Sequence, residues 1–187
     1  MNIKIGRLYY PVTTLGPGKR VGIWMCGCPF NCEECLSNEF KKLSNGKDIP
    51  VDELVELIDL INGRIDGITI SGGEPFYQSE SLLYLLRIIS HRYEDIILFT
   101  GYKYEDLQSG KVHYAKEIIE NISLLIDGKY DKDDISVNGL RGSNNQKIIT
   151  IKNIYGDIDF YNYPKRIQLV YFGKEIVEIG IPGGNLI

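Results

Sequence analysis

The chain has 187 residues, of which 43% are hydrophobic, and this is enough to bury the core of one compact domain. Its formal net charge of −4 provides no basic surface for nucleic acid, and no apolar run approaches the roughly 20 residues of a membrane span. The sequence shows no signal peptide, and its four cysteines are too sparse for a disulfide-rich secreted scaffold. We therefore expect a cytoplasmic protein that binds neither nucleic acid nor membrane.

The first strong pattern is an apolar run followed by closely spaced cysteines. Residues 21–25 predict a strand, and Cys28, Cys32 and Cys35 follow it with the spacing C-x3-C-x2-C. A closed structural site uses four protein ligands, as zinc ribbons and ordinary ferredoxins do. Three thiolates so close together instead favour a 4Fe–4S cluster whose fourth iron is open to a small molecule.

Cys26 leaves one alternative open. If it joined the other three cysteines, the four would make a closed zinc or ferredoxin-like site without catalysis. We favour a buried structural role for Cys26, because it ends the apolar run. An extended backbone there would keep Cys26 in the strand, while the loop begins at Cys28.

Strands and helices then alternate along the chain. Apolar residues at helical spacing predict three helices, and short apolar or β-branched runs predict three further strands. In chain order these are a helix over 51–61, a strand over 67–70, a helix over 79–90, a strand over 96–99, a helix over 116–122 and a strand over 124–126. The alternation is typical of a parallel sheet covered by helices. Four strands predict an α/β fold with an incomplete (β/α) barrel, since a complete eight-fold barrel needs about 250 residues.

Polar, glycine-rich segments follow all four predicted strands. They are the cysteine loop and residues 71–75, 100–102 and 127–129. Because parallel α/β folds bind ligands at the carboxyl ends of their strands, we expect these segments to meet on one face. Four segments that converge in this way favour a binding site over four unrelated turns.

These segments carry side chains that suit a ligand offering an amino group and a carboxylate to the open iron. Glu74 provides a carboxylate directly after two glycines, which let the backbone approach the ligand closely. Lys129 and the Thr100 hydroxyl can contact the ligand's carboxylate. Asp127 precedes Lys129 by two residues, so an extended segment would place both on the same side.

The last part of the chain differs in character. From about residue 148 onward it is rich in Ile, Tyr, Val and Gly and has no helical period. Residues 168–172 and 175–179 predict a β-hairpin. We therefore divide the chain into a core of residues 1–150 and a β-rich C-terminal extension of residues 151–187 that packs on it.

These motifs resemble the radical S-adenosylmethionine superfamily and, more narrowly, the activating proteins of anaerobic ribonucleotide reductase. The superfamily resemblance lies in the cysteine triplet and in residues 67–75, GITISGGEP. The narrower resemblance also includes residues 16–20, 99–103, 125–130 and 140–146. Together the matching segments span roughly residues 5–148, and they follow one another in the same order as in the family.

The resemblance implies a cofactor, a reaction and partners. One 4Fe–4S cluster on Cys28, Cys32 and Cys35 would pass an electron to bound S-adenosyl-L-methionine, and a 5′-deoxyadenosyl radical would form. That radical would take a hydrogen from one glycine of the large glycyl-radical subunit of anaerobic ribonucleotide reductase. A flavodoxin- or ferredoxin-like protein would supply the electron.

The resemblance also implies the residues that contact cofactor and partner. Arg141 and Asn144 would meet the partner's glycine loop, and the adenine would lie against the backbone at Glu34 and Leu36. Glu34 stands where many superfamily members carry an aromatic residue. The other expected contacts of S-adenosylmethionine are Ser71, Gly72, Gly73, Glu74, Thr100, Asp127 and Lys129.

Two other functions are compatible with parts of the sequence. A radical enzyme of the same superfamily could act on another peptide or on a nucleotide. The lack of further cysteine clusters disfavours peptide-maturing members, and a short barrel favours a glycine loop presented by a large partner. A non-enzymatic iron–sulfur electron carrier would need Cys26 as its fourth ligand.

Overall fold

The computed structural model describes residues 1–183, and a seven-stranded mixed sheet organises it. Its strands are β1 (Asn2–Val12), β2 (Arg20–Met25), β3 (Lys47–Pro50), β4 (Gly67–Gly72), β5 (Ile96–Phe99), β6 (Leu124–Asp127) and β7 (Lys147–Thr150). They lie in the order β3-β1-β2-β4-β5-β6-β7. The four central strands β2, β4, β5 and β6 are parallel, whereas β1, β3 and β7 run antiparallel to their neighbours. The sheet is open, with β3 and β7 at its edges.

Helices cover one face of this sheet. They are α1 (Val51–Asp59), α2 (Ser79–Ile89), α3 (Tyr104–Gln108) and α4 (Ala115–Glu120). Leu82 and Leu86 of α2 pack in one hydrophobic cluster with Ile96 and Leu98 of β5. Within residues 1–183, no helix is long and apolar enough to cross a membrane.

The second face of the sheet is covered by the C-terminal part of the chain. Because side chains alternate along a strand, Ile97 of β5 points away from the helices. It joins a second cluster with Phe160, Val170 and Ile179. The predicted hairpin is present as β8 (Ile167–Phe172) and β9 (Glu175–Gly180). The division at residue 150 stays a prediction, and residues 184–187 of the extension lie outside the described residues.

The α/β class and the four parallel strands agree with the sequence prediction. Three strands and one helix were not expected, namely β1, β3, β7 and α3. These added strands make the sheet mixed rather than purely parallel.

A buried ion pair joins the amino ends of the parallel strands. Arg20, at the start of β2, is fully buried and donates to both carboxylate oxygens of Asp95, at 2.6 and 2.8 Å. It also donates to the Thr69 hydroxyl and the Ile68 carbonyl. The Tyr155 hydroxyl donates to Asp95 at 2.6 Å, which ties the C-terminal part of the chain to this network.

Candidate metal centre

The cysteine loop begins where β2 ends, at the carboxyl end of the parallel sheet. Cys28, Cys32 and Cys35 are all unpaired and partly exposed, and they line one cavity, which we call the cysteine cavity. Glu74 and Lys129 line the same cavity. The structure therefore brings together residues from three strand ends, as the sequence predicts.

The donor set fits a cluster better than a single metal ion. Among residues 1–183, no three His, Cys, Asp or Glu side chains are gathered closely enough to hold one ion. A cube of four irons and four sulfides has larger dimensions, so its cysteine ligands stand farther apart than those of one ion. Burial raises the pKa of the Cys28 thiol, although the Phe30 amide opposes this by donating to the sulfur. Coordination to iron would deprotonate this thiol.

Cys26 lies apart from the other cysteines. It is fully buried and packs in the hydrophobic cluster that contains Phe40 and Trp24, and it does not line the cysteine cavity. Its amide donates to the carbonyl of Lys4, so its backbone is held against β1. This arrangement favours the structural role over a fourth metal ligand.

The turn after β4 is bonded directly to the start of the cysteine loop. The amide of Gly73 donates to Met25 and the amide of Glu74 donates to Gly27, each at 2.8 Å. Gly72 has a φ of +115°, and a Cβ on Gly73 would overlap the Gly27 carbonyl oxygen. Glycine is therefore required at both positions, because any side chain would push the turn away from the loop.

Glu74 is the most buried charged group of the site. Its side chain is fully buried, and its carboxylate accepts from Phe76 N, Thr100 Oγ1 and Gly101 N at 3.0, 2.9 and 2.7 Å. Burial raises the pKa of Glu74 to about 7, against the effect of these three donors. A carboxylate offers about four acceptor positions, so one remains for a ligand.

Lys129 supplies a positive charge at the edge of the cavity. Its side chain is exposed, and its Nζ lies 4.8 Å from the centre of the Phe30 ring. In the part of the chain that the structure describes, no carboxylate forms an ion pair with it. The Phe30 ring in turn packs edge-to-face on Tyr102.

Thr100 lines the cavity as predicted, whereas the structure places Asp127 differently from the sequence expectation. Thr100 donates its hydroxyl to Glu74, so it orients that carboxylate. Asp127 is buried and accepts from the amides of Tyr104 and Lys147, and it does not line the cavity. The chain does not stay extended after Asp127, because the next residue is a glycine with a φ of +96°. Asp127 and Lys129 consequently do not share one side.

Of the other residues predicted to contact the ligand, four line the cavity and one does not. Ser71, Gly72, Gly73 and Leu36 line the cavity. Glu34 does not: its side chain is exposed, and its nearest cation is Lys132 at 3.9 Å.

Arg141 and Asn144 belong to one hydrogen-bonded loop. Arg141 donates to the backbone carbonyl and the side-chain oxygen of Asn144, at 2.8 and 3.1 Å. Asn144 donates to the carboxylate of Asp134. The Arg141 guanidinium also lies 4.9 Å from the Tyr161 ring, which belongs to the C-terminal part of the chain.

Several cavity residues were missed in the sequence. Tyr130 and Gln146 line the cavity beside Lys129. Both fall in segments that carry the family resemblance, so that signal could have identified them. Glu178 and Ile181, from the end of the hairpin, also line it, and nothing in the local sequence pattern indicates this.

Comparison with known proteins identifies the family. Residues 14–149 match the model described as "4Fe-4S single cluster domain". The anaerobic ribonucleoside-triphosphate reductase-activating protein of Enterobacteria phage T4 is 33% identical over 138 residues, which is 71% of this chain and 85% of the relative. The protein of the same name from Escherichia coli K12 is 32% identical over 75% of this chain and 94% of the relative. The pyruvate formate-lyase-activating enzyme of Clostridium pasteurianum is 28% identical, over 68% of this chain and 54% of that enzyme. The resemblance predicted from the sequence motifs is confirmed.

Proposed function

This chain belongs to the 4Fe-4S single cluster domain family and to the anaerobic ribonucleoside-triphosphate reductase-activating proteins, and we propose that it is an enzyme that generates a glycyl radical on such a reductase. When bound, the 4Fe–4S cluster would supply the electron that cleaves a carbon–sulfur bond of S-adenosyl-L-methionine, which starts the hydrogen abstraction. One observation carries the proposal: in a chain of this family, three unpaired cysteines share a cavity with Glu74 and Lys129.

The cluster would be held by Cys28, Cys32 and Cys35 alone. Cys26 is fully buried in a hydrophobic cluster, and this supports a cluster with one iron left for the methionine end of the ligand. The Gly72–Gly73 turn is held against the cysteine loop, so one ligand in the cavity would contact both.

Glu74 and Lys129 would hold the two charged groups of the methionine end. Glu74 has an acceptor position left for the ligand's ammonium group, and an ammonium group favours the charged form of this buried carboxylate. Lys129 would donate to the ligand's carboxylate. Phe30 and Tyr102 pack beside this position and would exclude water from it.

The remaining predicted residues would either contact the ligand or position the groups that do. Ser71 and Leu36 line the cavity, which supports a place for them beside the ribose and adenine. Thr100 would act by orienting Glu74, and Asp127 by fixing the backbone after β6. A contact between the adenine and the backbone at Glu34 rests on the family resemblance.

We also propose the finer features that the family implies. The four parallel strands would correspond to the incomplete barrel of the superfamily, and a flavodoxin- or ferredoxin-like protein would be the electron donor. Arg141 and Asn144 would influence the partner's glycine loop through the loop that they hold together, since their polar groups already bond to each other.

The experiment combines two assays under anaerobic conditions. The protein is reconstituted with iron and sulfide, reduced, and given S-adenosylmethionine together with the anaerobic reductase of the same genome. We expect release of 5′-deoxyadenosine and a persistent glycyl-radical doublet in electron paramagnetic resonance. A reductase with its radical glycine changed to alanine is the matched control and must lack the doublet. Rapid 5′-deoxyadenosine release without a doublet on the wild-type reductase would point to a different substrate.

A further inference from the structure

The C-terminal hairpin forms part of the wall of the cysteine cavity although it lies outside the matched family region. The family model ends at residue 149, whereas Glu178, Ile179 and Ile181 line the cavity that contains the cysteines. The hairpin therefore borders the reaction site of this chain, and its role is not accounted for by the family match.

The inner face of the hairpin is fixed to the body of the protein. Val170 and Ile179 are buried, and the Thr14 hydroxyl donates to the Ile179 carbonyl at 2.9 Å. The Gln168 side chain donates to the Pro11 carbonyl and accepts from the Thr13 amide. The hairpin thus has a defined position beside the cavity and a defined outer face.

The outer face is exposed and carries three large apolar side chains. Leu169, Tyr171 and Ile176 are 59%, 74% and 60% exposed. Tyr171 pairs with Ile176 across the two strands, and Leu169 pairs with Glu178, so all four side chains lie on the same face. We call Leu169, Tyr171 and Ile176 the hairpin patch. Contiguous apolar side chains of this kind on a surface are typical of a protein contact site.

We propose that the hairpin patch docks the polypeptide whose glycine enters the cysteine cavity. This inference rests on the proposed function. The patch is continuous with the cavity, because Leu169 lies directly across from Glu178, which lines it. A protein segment that reaches the cysteines along this wall therefore passes the patch, and its apolar side chains cover Tyr171 and Ile176. The partner is thus the glycine-bearing large subunit itself.

The test uses a triple variant, Leu169→Ser, Tyr171→Ser and Ile176→Ser, in the full, reconstituted protein. The changed side chains are exposed, so the fold should be preserved, and circular dichroism checks this. We expect binding to the large subunit to weaken by about tenfold or more, with a parallel loss of glycyl radical. Release of 5′-deoxyadenosine without the partner should stay at the wild-type level. Tyr171→Ala alone, at the most exposed position, tests the same point with less change to the hairpin.

A matched control changes exposed apolar residues on the helical side. Leu57 and Leu60 are 40% and 76% exposed, and Leu57→Ser with Leu60→Ser should leave partner binding and radical yield unchanged. Wild-type partner affinity in the hairpin triple variant would overturn the docking proposal. The proposal would also be overturned if the wild-type protein were a dimer and the triple variant a monomer with an undiminished radical yield. The patch would then bind a second copy of this chain. If the wild-type protein forms no radical at all, the proposed function fails first, and the docking proposal fails with it.

Discussion

The two ends of the four parallel strands use similar residue types in opposite ways. At the amino ends, Arg20, Asp95 and Tyr155 form a network in which the charged and hydroxyl groups bond to each other and to neighbouring backbone. At the carboxyl ends, three thiols are unpaired and Lys129 has no ion-pair partner within residues 1–183. There the buried Glu74 carboxylate has a pKa raised to about 7 by its burial.

This difference separates stability from ligand binding along the same strands. A network with all its partners present adds rigidity but offers nothing to a ligand, whereas incompletely satisfied groups cost stability and can bind one. In parallel α/β folds, ligand sites lie at the carboxyl ends, and residues at the opposite end mainly serve stability. Changes at the carboxyl ends should therefore impair chemistry, and changes at the amino ends should impair folding.

The largest effect is expected from removing a thiol at the carboxyl ends. Cys32→Ser should abolish the visible absorption of the reconstituted cluster and all cleavage of S-adenosylmethionine, because a hydroxyl is a poor ligand for this iron. Its free energy of unfolding without iron should stay near the wild-type value, since Cys32 is partly exposed. Absorption spectra, 5′-deoxyadenosine release and urea unfolding of the apoprotein measure these three quantities.

Cys26→Ala is the matched control for the cysteine loop. Its cluster and cleavage activity should persist, and only stability should fall, because Cys26 is buried against Phe40. A folded variant that lost the cluster would contradict the assignment of Cys28, Cys32 and Cys35 as the only ligands.

At the amino ends, Arg20→Met should lower the free energy of unfolding by about 3–5 kcal/mol, because Asp95 would keep its charge without its main partner. Urea unfolding of the apoprotein measures the loss. At a temperature where the variant is folded, cluster content and cleavage per folded molecule should match the wild type. Arg92→Met is the control: its ion pair with Asp59 is exposed, so the loss of stability should be much smaller than in Arg20→Met. A selective loss of cleavage in Arg20→Met would contradict the separation of the two ends.

Glu74 provides a test in which pH is the variable. Its folded-state pKa of about 7 lies above the ordinary value of 4.5, so the folded protein binds this proton more tightly than the unfolded chain. The stabilising contribution is present below pH 4.5 and is lost as pH rises through 7, a change of about 3 kcal/mol. The ionisable groups near it, the Cys28 thiol and the Tyr102 hydroxyl, titrate at higher pH.

The measurement compares wild type with Glu74→Gln in the apoprotein. Glutamine does not titrate, so the difference in the free energy of unfolding between the two proteins should shift by about 3 kcal/mol, in favour of the variant, between pH 4.5 and 8. Parallel pH profiles would show that Glu74 has an ordinary pKa in the folded protein.

The sequence predicts the parallel strands well, because each is a short apolar run that ends in a polar turn. The antiparallel strands are harder to predict from sequence. β1 mixes apolar and polar residues as a half-buried antiparallel strand does, and β3 and β7 are only four residues long. Their pairing depends on neighbours that are distant in the chain.

For the site, residue types and strand ends were enough to place Glu74 and Lys129 beside the cysteines. They could not place Asp127, because its direction is set by backbone amides at Tyr104 and Lys147 and by the positive φ of the next glycine. The position of the hairpin beside the cavity could not be predicted from the local sequence pattern either. It depends on the packing of Val170 and Ile179 against the second face of the sheet.

The smallest effect is expected at Lys129, and it tests whether an unpartnered charge at the carboxyl ends serves a ligand. A charge-assisted hydrogen bond contributes about 1.5–3 kcal/mol, so Lys129→Ala should weaken binding of S-adenosylmethionine to the reconstituted protein by roughly tenfold or more. Lys132→Ala is the matched control, because Lys132 is paired with Glu33 and does not line the cysteine cavity. Equilibrium binding of S-adenosylmethionine, measured for both variants, gives the comparison. The stability of the apoprotein should not change in either variant, since the Lys129 side chain is exposed and Lys132 forms an exposed ion pair. Equal affinities in the two variants would mean that Lys129 is an ordinary surface lysine, and the ligand's carboxylate would then need a different partner.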